Sequence, residues 1–394
     1  MPVKPPAEVD LTTELVRALL QDQHPDLAAL PLRLAAHGWD NATFRLGDDL
    51  AVRLPRRELA AHLVEHEQRW LPTLAALCPV PVPAPVRIGR PGQQFSWSWS
   101  VVPWVDGVHV AQQPVAHRTA WAPELAEALV ALHVPAPAGA PVNPFRGGAL
   151  AGRAAALQAR LDAGHLDGAI AAAAGTGSDD WGALRTREDD AGTDGAATDI
   201  ASTDEAATDT GTTAQSTGPG STDATGAAGA AGAAGAAGAA GAAGAAGAAG
   251  GTSTSAAART PAGRARLDAL WRDALAAPAW PGPPVWLHGD PHPGNLVAAD
   301  GRLAGLLDFG DLTAGDPACD LATAWLTFDA DGRAAFRERA DALADARGPR
   351  DPGRWRRAAG WALVMASALV THGDDDPVIA AAGSHAIAGL VRGD

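Results

Sequence analysis

The chain has no tyrosine, one lysine (Lys4), two methionines and two cysteines among its 394 residues. Cys78 and Cys319 are too few for a disulfide framework or a cysteine metal site, so a reducing compartment is the default. Lysine and tyrosine are scarce beside abundant Ala, Gly and Arg, which reads as the codon bias of a GC-rich genome rather than a structural demand. Long apolar runs are also missing. The longest, Trp361 to Val370, is too short to span a bilayer and reads as a buried helix. The opening MPVKPPAEVD lacks a charged region followed by an apolar core, so no signal peptide is expected. Cations are outnumbered, 30 Lys and Arg against 45 Asp and Glu for a net charge of -15. That balance argues against a general nucleic-acid binder. The expectation is a cytoplasmic protein with no membrane, nucleic-acid or obligate protein partner.

What is present is concentrated between Val285 and Asp320. Val285-Trp286-Leu287 has the length of a buried strand. A polar loop follows, His288-Gly289-Asp290-Pro291-His292-Pro293-Gly294-Asn295. Leu296 to Ala298 is a strand, Asp300-Gly301 signals a tight turn, and Leu303 to Leu307 runs back. Asp308-Phe309-Gly310-Asp311 closes the hairpin. If Ala298 pairs with Leu303, Asn295 lies opposite Leu306 and Asp308 falls about two rungs on. The pair is then within roughly 7 Å, close enough to share one hard cation through oxygen. Asp290 stays free for something else.

An acid, four residues, an Asn, then Asp-Phe-Gly after a hairpin resembles the phosphoryl-transfer arrangement of protein kinases, which carry His-Arg-Asp in the first triplet. With His-Gly-Asp instead, and Asp316-Pro317 and Asp320 downstream, the chain resembles the aminoglycoside phosphotransferase family of small-molecule kinases. The resemblance implies an α+β, two-lobed, protein-kinase-like fold, with a small N-terminal β-sheet lobe carrying one helix and a larger, mainly helical C-terminal lobe. It implies ATP, or alternatively GTP, with Mg²⁺, and a small-molecule hydroxyl acceptor such as an aminoglycoside, macrolide or amino sugar. Asp290 would orient the acceptor hydroxyl and take its proton. Asn295 and Asp308 would hold the metal. His288 reads as a loop histidine bonding backbone carbonyls, Asp311 as a supporting acid, Asp316 as a helix cap and Asp320 as a brace beneath the loop.

Upstream, Leu11 to Leu20 reads as a helix capped by Thr12 or Thr13. Strands at Thr43 to Leu46 and Leu50 to Leu54 surround Gly47-Asp48-Asp49, resembling the nucleotide-covering loop and the strand after it. Kinases place a phosphate-holding Lys on that strand. Here the sole lysine is in the tail, and Arg53 keeps the charge. Glu58 to Leu77 reads as a helix broken near Pro72, with Leu59, Leu63, Trp70, Leu74 and Leu77 along one stripe. Glu67 falls inside the stripe, where a carboxylate needs a cation, and Arg53 is the candidate. The resemblance also implies a lobe-joining link whose backbone groups hold the adenine, expected here at Val102 to Val105, with Val102 and Trp104 as contacts. Helices follow at Thr119 to His133, Asn143 to Asp162, Arg266 to Ala276, Ala318 to Phe328, Arg333 to Ala346, Trp355 to Val370 and Pro377 to Val391.

The lobes divide as 1–105 and 106–394. Within the second, 171–264 is Ala, Gly, Thr, Ser and Asp with a Gly-Ala-Ala repeat over 226–250, too poor in large apolar side chains to offset chain entropy. It reads as a disordered surface insertion whose removal leaves folding and turnover unchanged. The rival from another class is a metal-dependent hydrolase using His288, Asp290, His292 and Asp308. A nucleotide-binding pseudokinase is the second, but such a protein loses Asp290 or Asp308, and both are here.

Overall fold

The computed structural model describes residues 7–38, 40–173, 253–348, 350–372 and 376–393. Helix α1, Thr13–Gln23, is capped by Thr12, whose side chain accepts from the Leu15 amide at 3.2 Å. Its Val16, Leu19 and Leu20 are buried against an antiparallel sheet. The strands are β1 (Leu32–His37), β2 (Asn41–Leu46), β3 (Leu50–Pro55), β4 (Arg87–Gly89) and β5 (Trp99–Pro103), in the order β1-β2-β3-β5-β4. Phe44, Val52, Leu54, Trp99 and Val101 fill the core between sheet and helix.

Two turns leave opposite ends of this sheet, and Gly47-Asp48-Asp49, expected to cover the nucleotide, lies at the end away from Pro55. That turn joins β2 to β3 at the Leu50–Pro103 end, beside the link after β5. The β1–β2 turn flanked by Gly38 and Asp40 sits at the Pro55 end. There the Arg56 amide donates to Asp40 O at 2.8 Å and Arg57 pairs with the Asp40 carboxylate. Arg53 stands two residues before Pro55 on β3, on the side of the sheet's middle nearer this end.

Helix α2, Glu58–Ala75, runs straight through Pro72. One turn remains after the proline, and Leu71 and Leu74, both buried, hold it in place. The buried face is Ala60, Val64, Glu67, Leu71 and Leu74. The expected stripe was turned by one residue: Leu59 is 73% exposed and Leu77 43%. Glu67 is thus in the middle of the apolar face. The C-terminal half of α2 packs on the second lobe, where Trp70 meets Trp286 with ring centroids 5.1 Å apart.

The second lobe is mainly helical: α3 (Ala122–Leu132), α4 (Ala154–Asp162), α5 (Asp167–Ala173), α6 (Ser253–Ala276), α7 (Ala318–Leu321), α8 (Thr323–Thr327), α9 (Ala330–Asp345), α10 (Arg354–His372) and α11 (Pro377–Arg392). Most of the helix expected at Asn143 to Asp162 is instead loop and a 3₁₀ turn, Leu150–Arg153; only its end is α4. The single helix expected at Ala318 to Phe328 is two short ones. Of the segment expected to be disordered, residues 174–252 lie outside the described residues. Its two ends are ordered against that expectation. Residues 171–173 finish α5, and α6 begins at Ser253 rather than Arg266. They are held because Ile170 and Ala173 join the buried core and Gly263 allows Ile170 to approach closely. No helix among the described residues is long and apolar enough to cross a membrane.

Two small sheets complete the lobe. β7 (Val285–Leu287) pairs with β10 (Thr313–Gly315), and β6 (Val108–His109) with β8 (Leu296–Ala299) and β9 (Arg302–Leu306). Asp300 and Gly301 both have positive φ, +51° and +74°, giving the two-residue turn that Asp-Gly favours. Ala298 pairs with Leu303 as expected, but Val297 pairs with Gly305 and Leu296 with Leu306. Ala304 is therefore an extra residue in β9. The bulge moves Asn295 opposite Leu307, whose amide donates to Asn295 O at 2.8 Å. Asp308 is one rung away rather than two.

Candidate active site

Strand β7 is buried along its length and ends at His288, which is also fully buried. The Asp290 amide donates to His288 Nδ1 at 3.3 Å, which leaves the ring proton on Nε2, 2.9 Å from Leu307 O. Both ring nitrogens are thus occupied by backbone groups and fix the loop. Asp320, at the base of α7, accepts from the amides of His288 (2.8 Å) and Gly289 (2.9 Å), and His133 Nε2 lies 3.2 Å away. This is the brace the sequence suggested. Gly289 has φ +90°, and a Cβ there would stand 2.2 Å from Asp311 O. Backbone conformation and space both require glycine where protein kinases carry arginine. Asp316 accepts from the Ala318 amide at 3.0 Å and also grips Arg357 with both oxygens.

At the other end of the hairpin, Asn295 Nδ2 donates to Asp290 O at 2.9 Å. That bond turns the amide oxygen away from the loop. Asp308, at φ +57°, is half-exposed at 50% of its side chain and accepts from Arg53 at 3.0 Å. Arg53 in turn holds both oxygens of Glu67, at 2.9 and 3.1 Å. Strand β3, helix α2 and the turn after β9 meet in this one guanidinium. Burial opposes the Arg53 charge, but Glu67 and Asp308 outweigh it and raise its pKa. Burial pushes the Glu67 carboxyl upward; Arg53 and a hydrogen bond from the Phe309 amide oppose that.

Asp290 is met by a residue that the sequence reading did not single out. Arg146, in the loop before the 3₁₀ turn at Leu150, lies 3.0 Å from Asp290 Oδ1 and 3.4 Å from Asp311 Oδ2. Asn143 secures Asp311 from the same loop, at 2.7 Å. His292 Nε2 is 3.5 Å from Asp290 Oδ2, while its Nδ1 accepts from the Gly294 amide at 3.0 Å. Burial works against the Asp290 charge. Arg146, His292 and His288 overcome it and hold the carboxyl below its usual range. At Asp311 the balance falls the other way, and burial raises the pKa despite Arg146. Arg146 stands 144 residues from Asp290 in sequence, in a stretch without motif, so no local signal marks it.

The link after β5 differs in detail from the expectation. The Trp104 amide donates to Asp49 O at 2.7 Å. Since backbone groups alternate along an antiparallel strand, Val102, opposite Ala51, faces β3 as well. By the same alternation the Pro103 carbonyl faces away from β3. The Trp104 ring lies under Arg45, with Cζ 4.6 Å from the ring centroid, and its Nε1 donates to Asp106.

Among the described residues, no cluster of three or more His, Cys, Asp or Glu is placed to hold a metal ion. With His288 committed to the backbone, the four-residue cluster of a metallohydrolase is not assembled. The structure brings Asp290 and Asn295 together on one loop and Arg53, Glu67 and Asp308 together across the lobes.

Residues 31–198 and 228–361 match the model of the phosphotransferase enzyme family, APH. No curated protein sequence matches. Among solved structures, the chain is similar to the GDP complex of wild-type aminoglycoside 2'-phosphotransferase-IIIa, with TM-score 0.54 and 16% identity over 97% of this chain and 99% of that one. It is also similar to the GDP and kanamycin complex of APH(2")-IIia, with TM-score 0.50 and 15% identity over 93% and 95%. A macrolide 2'-phosphotransferase from Brachybacterium faecium follows at TM-score 0.47 and 19% identity, over 96% and 98%.

Proposed function

The chain belongs to the phosphotransferase enzyme family, and from that membership and the site geometry we propose that it moves the γ-phosphoryl group of ATP to a hydroxyl of a small molecule. The observation that carries this is Arg53, which touches Glu67 and Asp308 at once beside the loop bearing Asp290 and Asn295. Phosphoryl transfer asks a protein for positioning and charge neutralisation more than for covalent chemistry. Arg53 addresses the nucleotide phosphates, held by Glu67. Pro103 O, which faces away from β3, and the Val105 N–H two residues on receive the base. GTP is the alternative donor, since the two similar aminoglycoside phosphotransferase structures are GDP complexes.

The donor set fits Mg²⁺: an amide oxygen on Asn295, oriented by its Nδ2 bond, and the half-exposed Asp308 carboxylate. Bound there, the ion would neutralise charge on the phosphates. Asp290 orients the acceptor hydroxyl and accepts its proton. Its lowered pKa keeps it ionised but makes it a weak base, which suits a proton lost late as the phosphoryl group arrives.

The test is nucleoside diphosphate release, with ATP and with GTP, over amino sugars, aminoglycosides, macrolides and small alcohols. Wild type should turn over at least one of them, and Asp290→Asn should lose about a hundredfold or more. Equal turnover in the two proteins removes Asp290 from the role.

A further inference from the structure

Arg146 is the first of three arginines seven residues apart, the others being Arg153 and Arg160. Arg153 ends the 3₁₀ turn and Arg160 lies two turns along α4, so the two point nearly the same way, about 10 Å apart along the axis. Leu157, between them, and Leu161, just after Arg160, are buried, which holds α4 in place, while Arg153 and Arg160 are part-exposed. Arg146 is spent on Asp290 and Asp311. Arg153 stacks on Phe145, with Cζ 5.2 Å from the ring centroid, and its Nε is buried without a hydrogen-bond partner. Arg160 donates to Ser367 Oγ at 3.2 Å, a neutral acceptor. Burial, and after it the neighbouring arginines, lower the pKa of both Arg153 and Arg160, and among the described residues no carboxylate opposes this.

The surroundings offer no compensation among the described residues. Asp162 on α4 accepts from Gln158 and Arg264. Helix α10, which Arg160 touches, contains no acid. Phe145 is 56% exposed and forms an apolar lip beside Arg146 and Arg153. The outcome is that Arg146, held at Asp290, is followed by two further cations, Arg153 with an unpaired Nε and Arg160 bonded to a neutral hydroxyl. Buried donors without partners are costly, and a guanidinium presents a planar fork suited to oxyanions.

We propose that Arg153 and Arg160, in line with Arg146, form an oxyanion-binding edge of the acceptor cleft, so that the hydroxyl compound phosphorylated carries a carboxylate, phosphate or sulfate rather than an array of ammonium groups. This rests on the phosphotransferase reading above. It departs from the acceptor named for the kanamycin complex: a polycation would meet Arg153 and Arg160 with like charge.

The experiment uses the full chain with ATP and Mg²⁺ and acceptors matched except for charge: glucose, glucosamine, glucuronate, glucose 6-sulfate and glucose 6-phosphate, with glycerol against glycerate and kanamycin as the polycation. Binding of the same compounds, and of inorganic sulfate and phosphate, is followed by calorimetry. At least one acid should exceed its neutral counterpart tenfold or more in kcat/KM or affinity; which acid does so separates carboxylate from phosphate and sulfate. Arg153→Gln with Arg160→Gln should raise KM tenfold or more for that acid, keep kcat within about twofold and leave the neutral counterpart's KM unchanged. Arg153→Lys with Arg160→Lys should recover most of the loss, which separates charge from misfolding. A panel in which no acid outperforms its neutral counterpart overturns the proposal, as does an equal KM rise on charged and neutral acceptors. If wild type phosphorylates nothing, the phosphotransferase reading fails by itself, and the calorimetric order still decides this one.

Discussion

Arg53 is the residue on which the two lobes converge, and its chemistry differs from the lysine that protein kinases use. An ammonium is a point charge; the guanidinium fork reaches Glu67 with one nitrogen and Asp308 with the other. Arg53→Lys should therefore keep the Glu67 pair but loosen Asp308, lowering kcat/KM for the nucleotide about tenfold with little loss of stability. Arg53→Ala leaves Glu67, 2% exposed, as an uncompensated buried charge, and should cost about 3–5 kcal/mol in denaturant unfolding. Arg146 sets the charge state of the proposed base. The Asp290 pKa lies below the usual carboxylate range, so Asp290 stays ionised as pH falls toward about 4, and the acid limb of kcat/KM should not report it. A depressed folded-state pKa also means that Asp290 contributes stability above its unfolded value and loses it as pH falls through the folded one. In Arg146→Met burial remains and the countercharge is gone. The pKa then rises, and the acid limb of a kcat/KM profile should move to higher pH; an unmoved limb would detach Arg146 from Asp290.

At the scale of elements, the hairpin β8–β9 decides whether the site exists. The expected register was right at its tip and wrong by one residue at its base, because Ala304 is an extra residue in β9. A bulge bends its strand and re-aims the residues beyond it. Deleting Ala304 would remove the bend while leaving Leu306 opposite Leu296 and Leu307 opposite Asn295, so Asp308 would keep its register but lose the angle the bulge gives it. Nucleotide-dependent turnover should fall about a hundredfold, the cost of a misplacement of about 1 Å, while the circular dichroism spectrum persists. Retained activity would show that the bulge does not aim Asp308. Helix α2 teaches the complementary lesson. Periodicity found the helix and picked out Glu67, but the true buried face runs through Ala60 and Val64, one position on from the leucines. Small side chains carry little hydropathy signal, yet they let α2 lie close to the sheet.

For the whole molecule, α2 joins the lobes, with Glu67 bound to β3 and Trp70 packed on Trp286. Nucleotide bound between them should stabilise the chain as one unit, by about 2.7 kcal/mol at a concentration of 100 Kd. A thermal shift with ATP and Mg²⁺ checks this, and Asp308→Asn should lose the Mg²⁺-dependent part. An equal Mg²⁺ response in that variant would separate Asp308 from the metal. The sequence carried the fold class through its resemblance to the aminoglycoside phosphotransferase family, and it made the grouping of Asp290, Asn295 and Asp308 geometrically reasonable, because those residues sit within one loop and one tight hairpin. It also placed the Asp320 brace and the Arg53–Glu67 pair, the latter because a carboxylate in an apolar stripe demands a cation. Only the tertiary structure decided at which end of the sheet each turn lies, which link residue faces outward, and that Arg146 meets Asp290. Arg53 and Asp308 are 255 residues apart, and Arg146 and Asp290 144. Over such separations no periodicity persists, and folding of the whole chain chooses the partner.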